Sequence, residues 1–254
     1  MLTTAIRGLV RVVLAGTVLY VAAFEGRRAG LIAFAVWLAL LFVMVVWLPR
    51  AAHRAFRQGN YKRSKLLYNV LRVWALRKTA RVSIEVSLAA CALADGSWDR
   101  AIEMLDGMEV EALNEAARAA WLNNRAYALA RSGRDAGAAL EYSNRAIDLR
   151  PDVAGFRHTR GVALLALGRV EEAIGELDRL WGQLAGHTGD EMPLLEAERC
   201  YDLGRAWQQK GERDYALDYF DRARRASPES RWAYRAAEYL DPVTRPQLAE
   251  FLES

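Results

Sequence analysis

The side chains that most often perform catalysis or bind metals are few and scattered in this sequence. Its histidines, His53, His158 and His187, are far apart, and none belongs to an HExxH or equivalent pair of zinc ligands. Neither Cys91 nor Cys200 has a second cysteine at CxxC spacing, so both are interpreted as buried, small apolar side chains in a reducing compartment. No phosphate-binding loop of the form GxxxxGKS or GxxxxGKT is present. These patterns predict no catalytic residue, no metal ligand and no cofactor.

Neighbouring carboxylates are the remaining candidates for acid–base chemistry. Pairs such as Glu171 and Glu172 fall where an amphipathic helix is predicted to begin, and negative charges there complement the helix dipole while they face water. The sequence therefore indicates a binding or scaffolding protein and not an enzyme.

Charge is distributed unevenly along the chain. The total is +4, yet residues 50–84 contain ten Lys and Arg and no Asp or Glu, whereas residues 85–254 contain 21 Lys and Arg against 30 Asp and Glu. The basic character therefore comes from the first third of the chain. Only four of the 35 cations are lysine, and alanine is abundant, which favours a bacterial source.

Two apolar runs precede the basic segment. Residues 29–48 form 20 consecutive uncharged positions, which as a helix would span about 30 Å, the thickness of a bilayer core. The first run, residues 12–24, is shorter, so a span there would require Arg11 to reach the interface. Residues 1–49 are therefore predicted to form a transmembrane helical hairpin. A cleaved signal peptide ending near residues 21–23 is the alternative for the first run.

The basic segment sets the predicted topology. Cations concentrate on the cytoplasmic side of membrane helices, so the ten after residue 49 predict a multi-pass protein of the bacterial inner membrane whose C-terminal part is cytoplasmic. Only a first segment that fails to cross would place that part outside. Contact with lipid headgroups is predicted for six cations: Arg50, Arg54, Arg57, Lys62, Arg63 and Lys65. Nucleic acid is not a predicted partner, because the nearby aromatic residues fall at packing positions.

A repeat with a glycine turn runs through the rest of the chain. Gly59, Gly96, Gly133, Gly168 and Gly211 recur at intervals of 37, 37, 35 and 43 residues, each between two amphipathic helical patterns. A period of this length built from two helices predicts an all-α fold, with about five helix pairs forming a helical solenoid.

The repeat resembles the tetratricopeptide (TPR) family, most clearly in the last unit, LGRAWQQKGERDYALDYFDRARRASP. Its matching positions are Leu203, Gly204, Trp207, Gly211, Ala216, Phe220, Ala223 and Pro228. The resemblance implies a basic first repeat at residues 50–81 and a TPR solenoid at 82–254, with an insertion at 182–192. It also implies a C-terminal cap from residue 229, and a short helix is predicted to end at Phe251.

In this family the first helix of each unit faces a groove, which implies a groove-facing set in this chain. Its members are Asn124, His158, Thr159, Tyr201, Asp202, Arg205, Gln208 and Gln209. A mixed polar surface of this kind suits an extended peptide or a partner helix. Only Asn124 matches the carboxylate clamp of chaperone-binding members, so a chaperone tail is not the expected ligand.

The predicted function is a membrane-anchored scaffold or adaptor that binds a protein or peptide partner at the cytoplasmic face. The alternative is a structural subunit of a membrane complex that assembles through its spans, because small residues such as Ala29 and Ala33 allow close helix packing. The sequence leaves the oligomeric state open.

Overall fold

The protein is helical wherever its structure is described. The computed structural model describes residues 16–17, 20–21, 23–75, 77–184, 189 and 191–240, and these ranges contain helices and turns but no strand. The α-helices are α1 (Arg27–Phe42), α2 (Leu48–Arg57), α3 (Tyr61–Trp74), α4 (Lys78–Ala94), α5 (Trp98–Asp106), α6 (Glu115–Ser132), α7 (Ala136–Leu149), α8 (Ala154–Ala166), α9 (Val170–Leu184), α10 (Met192–Gln209), α11 (Arg213–Ala226) and α12 (Arg231–Leu240). The predicted all-α class is confirmed for these residues.

The chain divides into two compact units. The first comprises Met1–Asp95 with Gly107–Asn114, and the second comprises Gly96–Asp106 with Glu115–Ser254. The chain passes from one unit to the other at the Gly96 turn and again at each end of Gly107–Asn114. The domain boundary expected at residue 82 stays a prediction.

In the first unit, a π-helical turn over Val43–Trp47 joins α1 to α2 as one unbroken helix. Pro49 has no N–H to donate, which is a common cause of a local change in helix geometry, and the Leu48 N–H bonds to the Val43 carbonyl five residues earlier. The combined helix, Arg27–Arg57, is long and apolar enough to cross a membrane, and only 6% of its most apolar window is buried. The run predicted at residues 12–24 lies partly outside the described residues, and its described positions, 16–17, 20–21 and 23–24, are helical.

A tight turn follows this helix and joins α2 to α3 as a helical hairpin. Gly59 adopts φ 74°, a conformation that favours glycine, and the Asn60 side chain caps α3 by accepting a hydrogen bond from the Arg63 N–H at 3.1 Å. The Ser64 hydroxyl donates to the Ala52 carbonyl at 3.0 Å, and both residues have no exposed surface. Small side chains at this crossing allow α2 and α3 to pack closely and antiparallel. Helix α4 then packs on α3.

The second unit is built from three antiparallel helix pairs, α6/α7, α8/α9 and α10/α11. Close approach within the pairs depends on Gly161 and Gly204, which face Leu177 and Phe220. A Cβ on Gly204 would come within 2.6 Å of the Phe220 ring. Helix α5 packs on α6, where the Trp121 indole donates to the Leu105 carbonyl at 3.0 Å. The predicted pairing of helices around glycine turns is thus present in this unit.

The last helix covers the end of the second unit. α12 contacts α11 and α10, and Trp232 is buried among Tyr201, Phe220 and Ala197. Helix α12 lies within the C-terminal cap that is predicted to begin at residue 229. The predicted insertion at 182–192 lies partly outside the described residues (185–188 and 190), although α9 continues to Leu184 and α10 begins at Met192. The helix predicted to end at Phe251 lies wholly outside them.

Candidate functional site

The first helices of the three pairs in the second unit, α6, α8 and α10, lie side by side. They bring together five polar side chains that we call the inner charge network. Its members are Tyr127 and Arg131 on α6, His158 on α8, and Glu198 and Asp202 on α10. The repeat architecture thus places residues of three separate pairs at one site.

Arg131 is the centre of the network. Its Nη1 donates to Asp202 Oδ1 at 2.6 Å, and its Nη2 donates to Asp202 Oδ2 at 2.7 Å and to Glu198 Oε1 at 3.0 Å. The exposed side-chain fractions are 2% for Arg131, 0% for Asp202 and 16% for Glu198. A two-pronged, charge-assisted contact of this kind is among the strongest hydrogen-bonded arrangements in proteins.

The remaining members add two further hydrogen bonds, although the buried Nε of Arg131 has no partner among the described residues. His158 Nε2 lies 3.1 Å from Asp202 Oδ2, and the Tyr127 hydroxyl donates to the Glu198 carboxylate. The Arg131 guanidinium also lies 4.5 Å from the centre of the Trp232 ring, which belongs to the last helix. The network therefore ties α6, α8 and α10 together beneath α12.

Burial and charge act in opposite directions on this network. Burial alone would raise the pKa of Asp202, but the Arg131 guanidinium and the hydrogen bond from His158 outweigh it, so the pKa lies well below its usual range. Burial would lower the pKa of Arg131, yet the Asp202 carboxylate holds that pKa well above its usual value. Burial raises the pKa of Tyr127 well above its ordinary range. Arg131 and Asp202 are consequently an ion pair, and Tyr127 remains a neutral hydrogen-bond donor.

The network also offers a possible set of metal ligands. One atom each from His158, Glu198 and Asp202 lies within 4.8 Å of the other two. However, the Arg131 guanidinium already contacts both carboxylates, and a metal cation would have to displace it from a fully buried position. The residues present therefore do not fit a metal ion, and we assign none to them.

The structure separates the predicted groove-facing residues into two groups. Four are buried, namely Asn124, Thr159, Tyr201 and Asp202. His158 and Arg205 are half-buried, and Gln208 and Gln209 are exposed. A ligand could contact His158, Arg205, Gln208 and Gln209, together with the partly exposed Glu198. We call these five residues the inner rim.

Tyr201 shows why part of the predicted groove surface is inaccessible. Its ring lies 5.4 Å from the Trp232 ring and 6.0 Å from the Phe220 ring, so the side chain belongs to the core beneath α12. Burial raises the pKa of Tyr201 to about 12, with Tyr239 adding to the effect. A side chain held in this way contributes to stability and not to a solvent-facing binding surface.

Sequence reasoning missed three members of the inner charge network, Tyr127, Arg131 and Glu198. A local signal for them does exist, because Tyr127 and Arg131 are four residues apart, as are Glu198 and Asp202. Residues at this spacing share one face of a helix. It indicates a shared face, but not which helices meet there.

The cations predicted to contact lipid lie along the α2–α3 hairpin. Arg50 is at the start of α2, where its Nη1 donates to the Val46 carbonyl at 3.1 Å. Arg57 and Lys62 stand on either side of the Gly59 turn, at the opposite end. Arg54 and Arg63 are exposed, and Lys65 is half-buried. The six cations are therefore spread over the length of the hairpin.

Comparison with known proteins assigns this chain to no family. No family model matches the chain, and no curated protein matches it. Similar solved structures include a kinesin light chain-like protein of Podosopora anserina with nearly identical TPR-like repeats (20% identity, 70% of this chain and 92% of that chain, TM-score 0.43). They also include MamA (17%, 73% and 99%, 0.41) and YrrB, described as a TPR protein with an unusual peptide-binding site (19%, 74% and 88%, 0.40). At these TM-scores, below 0.5, the TPR assignment of this chain remains a resemblance.

Proposed function

We propose that this protein is a membrane-anchored helical-repeat adaptor that binds a protein or peptide partner. The observation that carries the proposal is the unbroken helix Arg27–Arg57. Its first part, α1, exposes large apolar side chains, including Leu31 at 68% and Ile32 at 67%. Its last part, α2, packs against α3. Such an exposed apolar surface requires a nonaqueous environment, and the attached repeats provide surfaces for a partner.

The orientation of the anchor follows from charge. The ten cations of residues 50–84 favour a cytoplasmic location for the segment after the span, and with it the repeats. We therefore place the protein in the bacterial inner membrane as a multi-pass protein, in which residues 1–49 form the helical hairpin. A reporter fused to the C-terminus tests this topology, and extracytoplasmic activity of the reporter would exclude it.

The anchor itself can be tested by one charge. An arginine at the centre of a span costs roughly 2.5–3.5 kcal/mol on insertion scales, so Val36→Arg, at an exposed position of α1, is expected to release the protein from membranes washed with alkaline carbonate. Val36→Leu is the matched control and should stay in the pellet. Release of the wild-type protein by the same wash would contradict the proposal.

The partner is proposed to contact the inner rim. Arg205, Gln208 and Gln209 present hydrogen-bonding groups at the end of α10 and do not belong to the inner charge network. A mixed polar surface of this kind suits an extended peptide.

Proximity labelling in the native host, followed by pull-down from detergent-solubilised membranes, identifies candidate partners. The double variant Arg205→Ala with Gln208→Ala is expected to lose the partner. Arg145→Ala, on the exposed surface of α7, should retain it. Equal recovery with both variants would exclude the inner rim as the binding surface.

A structural subunit assembled through its spans is the second candidate. It is favoured by α1, on which Gly30 is buried and Ala29 and Ala33 are less exposed than their apolar neighbours. Replacing residues 1–49 by an unrelated membrane hairpin separates the two proposals. An adaptor should keep its partner after the exchange, whereas a subunit assembled through its spans should lose it.

A further inference from the structure

We propose that α3 is an interfacial helix whose outward apolar side chains contact the headgroup and upper acyl region of an anionic bilayer. The proposal deepens the membrane anchoring proposed above and rests on it. The side chains concerned are Leu66, Val70, Val73 and Trp74, which we call the outward stripe. The bilayer contact would then comprise two helices of the first unit, α1 and α3.

The outward stripe is exposed and continuous. Leu66 is 64% exposed, Val70 37%, Val73 54% and Trp74 37%. Their spacing of four, three and one residues places them on one side of the helix, opposite the buried side chains of α3. An apolar stripe of this length, exposed on a helix that is already packed on its other side, marks a surface that contacts a further apolar phase.

The register of the α2–α3 hairpin sets the depth of the stripe. The two helices are antiparallel about Gly59, and the hydrogen bond from Ser64 to Ala52 fixes their pairing. Trp74 follows Gly59 by 15 residues, and Met44 precedes it by the same number. At 1.5 Å per residue each lies about 22 Å from the turn. The C-terminal end of α3 therefore reaches the level at which the apolar part of the spanning helix ends.

Polarity changes along the outward face of α3 as it would across a membrane surface. Near the turn the face carries Lys62 and Arg63, and it becomes apolar toward Val73 and Trp74. This gradient follows the helix axis, which is the direction in which polarity changes at a bilayer interface.

Two further features of the C-terminal end of α3 fit anionic lipid. Trp74 and Trp47 lie within about one helical turn of the same level, and tryptophans are enriched at this depth in membrane proteins. Arg72 and Arg77 are exposed beside them, and residues 50–84 contain no acidic side chain that would repel anionic headgroups. The principal cations in contact with lipid headgroups would then be Arg72 and Arg77, and not Arg57 and Lys62 at the turn, which the sequence alone had suggested.

Depth measurements on the full-length protein test the inference. In a background in which Cys91 and Cys200 are replaced by alanine, single cysteines are introduced at Val73, Lys62 or Val36 and labelled with a nitroxide. The proteins are placed in vesicles made of equal parts phosphatidylcholine and phosphatidylglycerol. Collision with oxygen, which concentrates in the bilayer, is compared with collision with a water-soluble nickel chelate. The ratio of oxygen to nickel collisions at Val73 is expected to exceed that at Lys62 by several fold and to approach that at Val36.

Each outcome decides between the inference and the function on which it rests. A label at Val73 that behaves like the one at Lys62, while Val36 remains in lipid, overturns the inference and leaves the anchor intact. Shielding of Val73 from both reagents also overturns it, because protein would then cover the stripe. An aqueous label at Val36 overturns the proposed anchoring itself. Circular dichroism confirms that each labelled protein has kept its helices.

Discussion

Arg131 and Asp202 form a two-pronged ion pair although 71 residues separate them in the chain. The contact joins α6 of one helix pair directly to α10 of the pair after next. In helical-repeat proteins each repeat normally contacts only its neighbours, and stability is close to a sum of local terms. Here one buried charge pair couples the first and third pairs of the second unit, so these pairs should lose structure together.

The first prediction concerns the loss of one partner of this pair. Arg131→Ala leaves Asp202 buried without its cation, which typically destabilises a protein by about 3–5 kcal/mol. We expect a lower midpoint of chemical denaturation, measured by circular dichroism in detergent solution. Arg169→Ala removes an exposed Arg169–Glu172 pair and should leave the midpoint unchanged.

A combined variant distinguishes unpaired charge from lost packing in that experiment. Arg131→Met with Asp202→Leu removes both charges and retains side-chain volume, and such replacements are often neutral. The combined variant is expected to recover most of the stability that Arg131→Ala loses. If it is as unstable as Arg131→Ala, the unpaired Asp202 carboxylate is not the cause.

The second prediction is a dependence of stability on acid. The pKa of Asp202 in the folded protein lies below its ordinary value of 3.8, so its contribution to stability is fully present above that value. It is lost progressively as the pH falls from that value to and through the folded-state pKa, so the loss begins within the range down to about pH 3. Thermal unfolding between neutral pH and about pH 3 should therefore show a decline that is smaller in Asp202→Asn than in the wild-type protein. Equal slopes for the two proteins would contradict the assignment of this decline to Asp202.

The helix pairs could be predicted because their determinants are local. Gly59 marks a turn that requires positive φ, and Gly204 stands where a partner helix must approach the backbone. Both requirements act within one pair, so they appear in the sequence as glycines at regular intervals. The π-helical turn before Pro49 could not be placed in the same way, since a proline indicates a disturbed helix without specifying its form.

The candidate site was predictable only in part. The resemblance to the TPR repeat placed Asp202 and Tyr201 among the groove-facing residues, which were expected to be surface residues. Their burial depends on Arg131 and Trp232, which approach from distant segments of the chain. A repeat pattern describes which face of a helix a residue occupies, whereas contacts between helices far apart in sequence are set by the packing of the entire unit.

The third prediction tests the close helix crossing at Gly204. Gly204→Ala would bring a methyl group against the Phe220 ring, and such overpacking costs about 1–3 kcal/mol. Gly175→Ala is the matched control, because no atom lies within 4 Å of its Cβ position and alanine is the better helix former by about 0.5–1 kcal/mol. The two substitutions should therefore shift the unfolding midpoint in opposite directions. A destabilising Gly175→Ala or a neutral Gly204→Ala would contradict this packing.

The last prediction concerns the two thiols. Both cysteines are free and have no exposed surface. Burial, reinforced by the neighbouring Glu196 carboxylate, raises the pKa of Cys200 to about 12. At pH 8 only about one Cys200 side chain in ten thousand would be the reactive thiolate, and burial also raises the pKa of Cys91. A maleimide should therefore modify both thiols slowly in the native protein and rapidly after denaturation, as followed by intact mass.

Glu196→Gln removes the nearby negative charge and should speed the native reaction of Cys200 while leaving that of Cys91 unchanged. Equal acceleration of both thiols would indicate general loosening of the fold and contradict a local electrostatic effect.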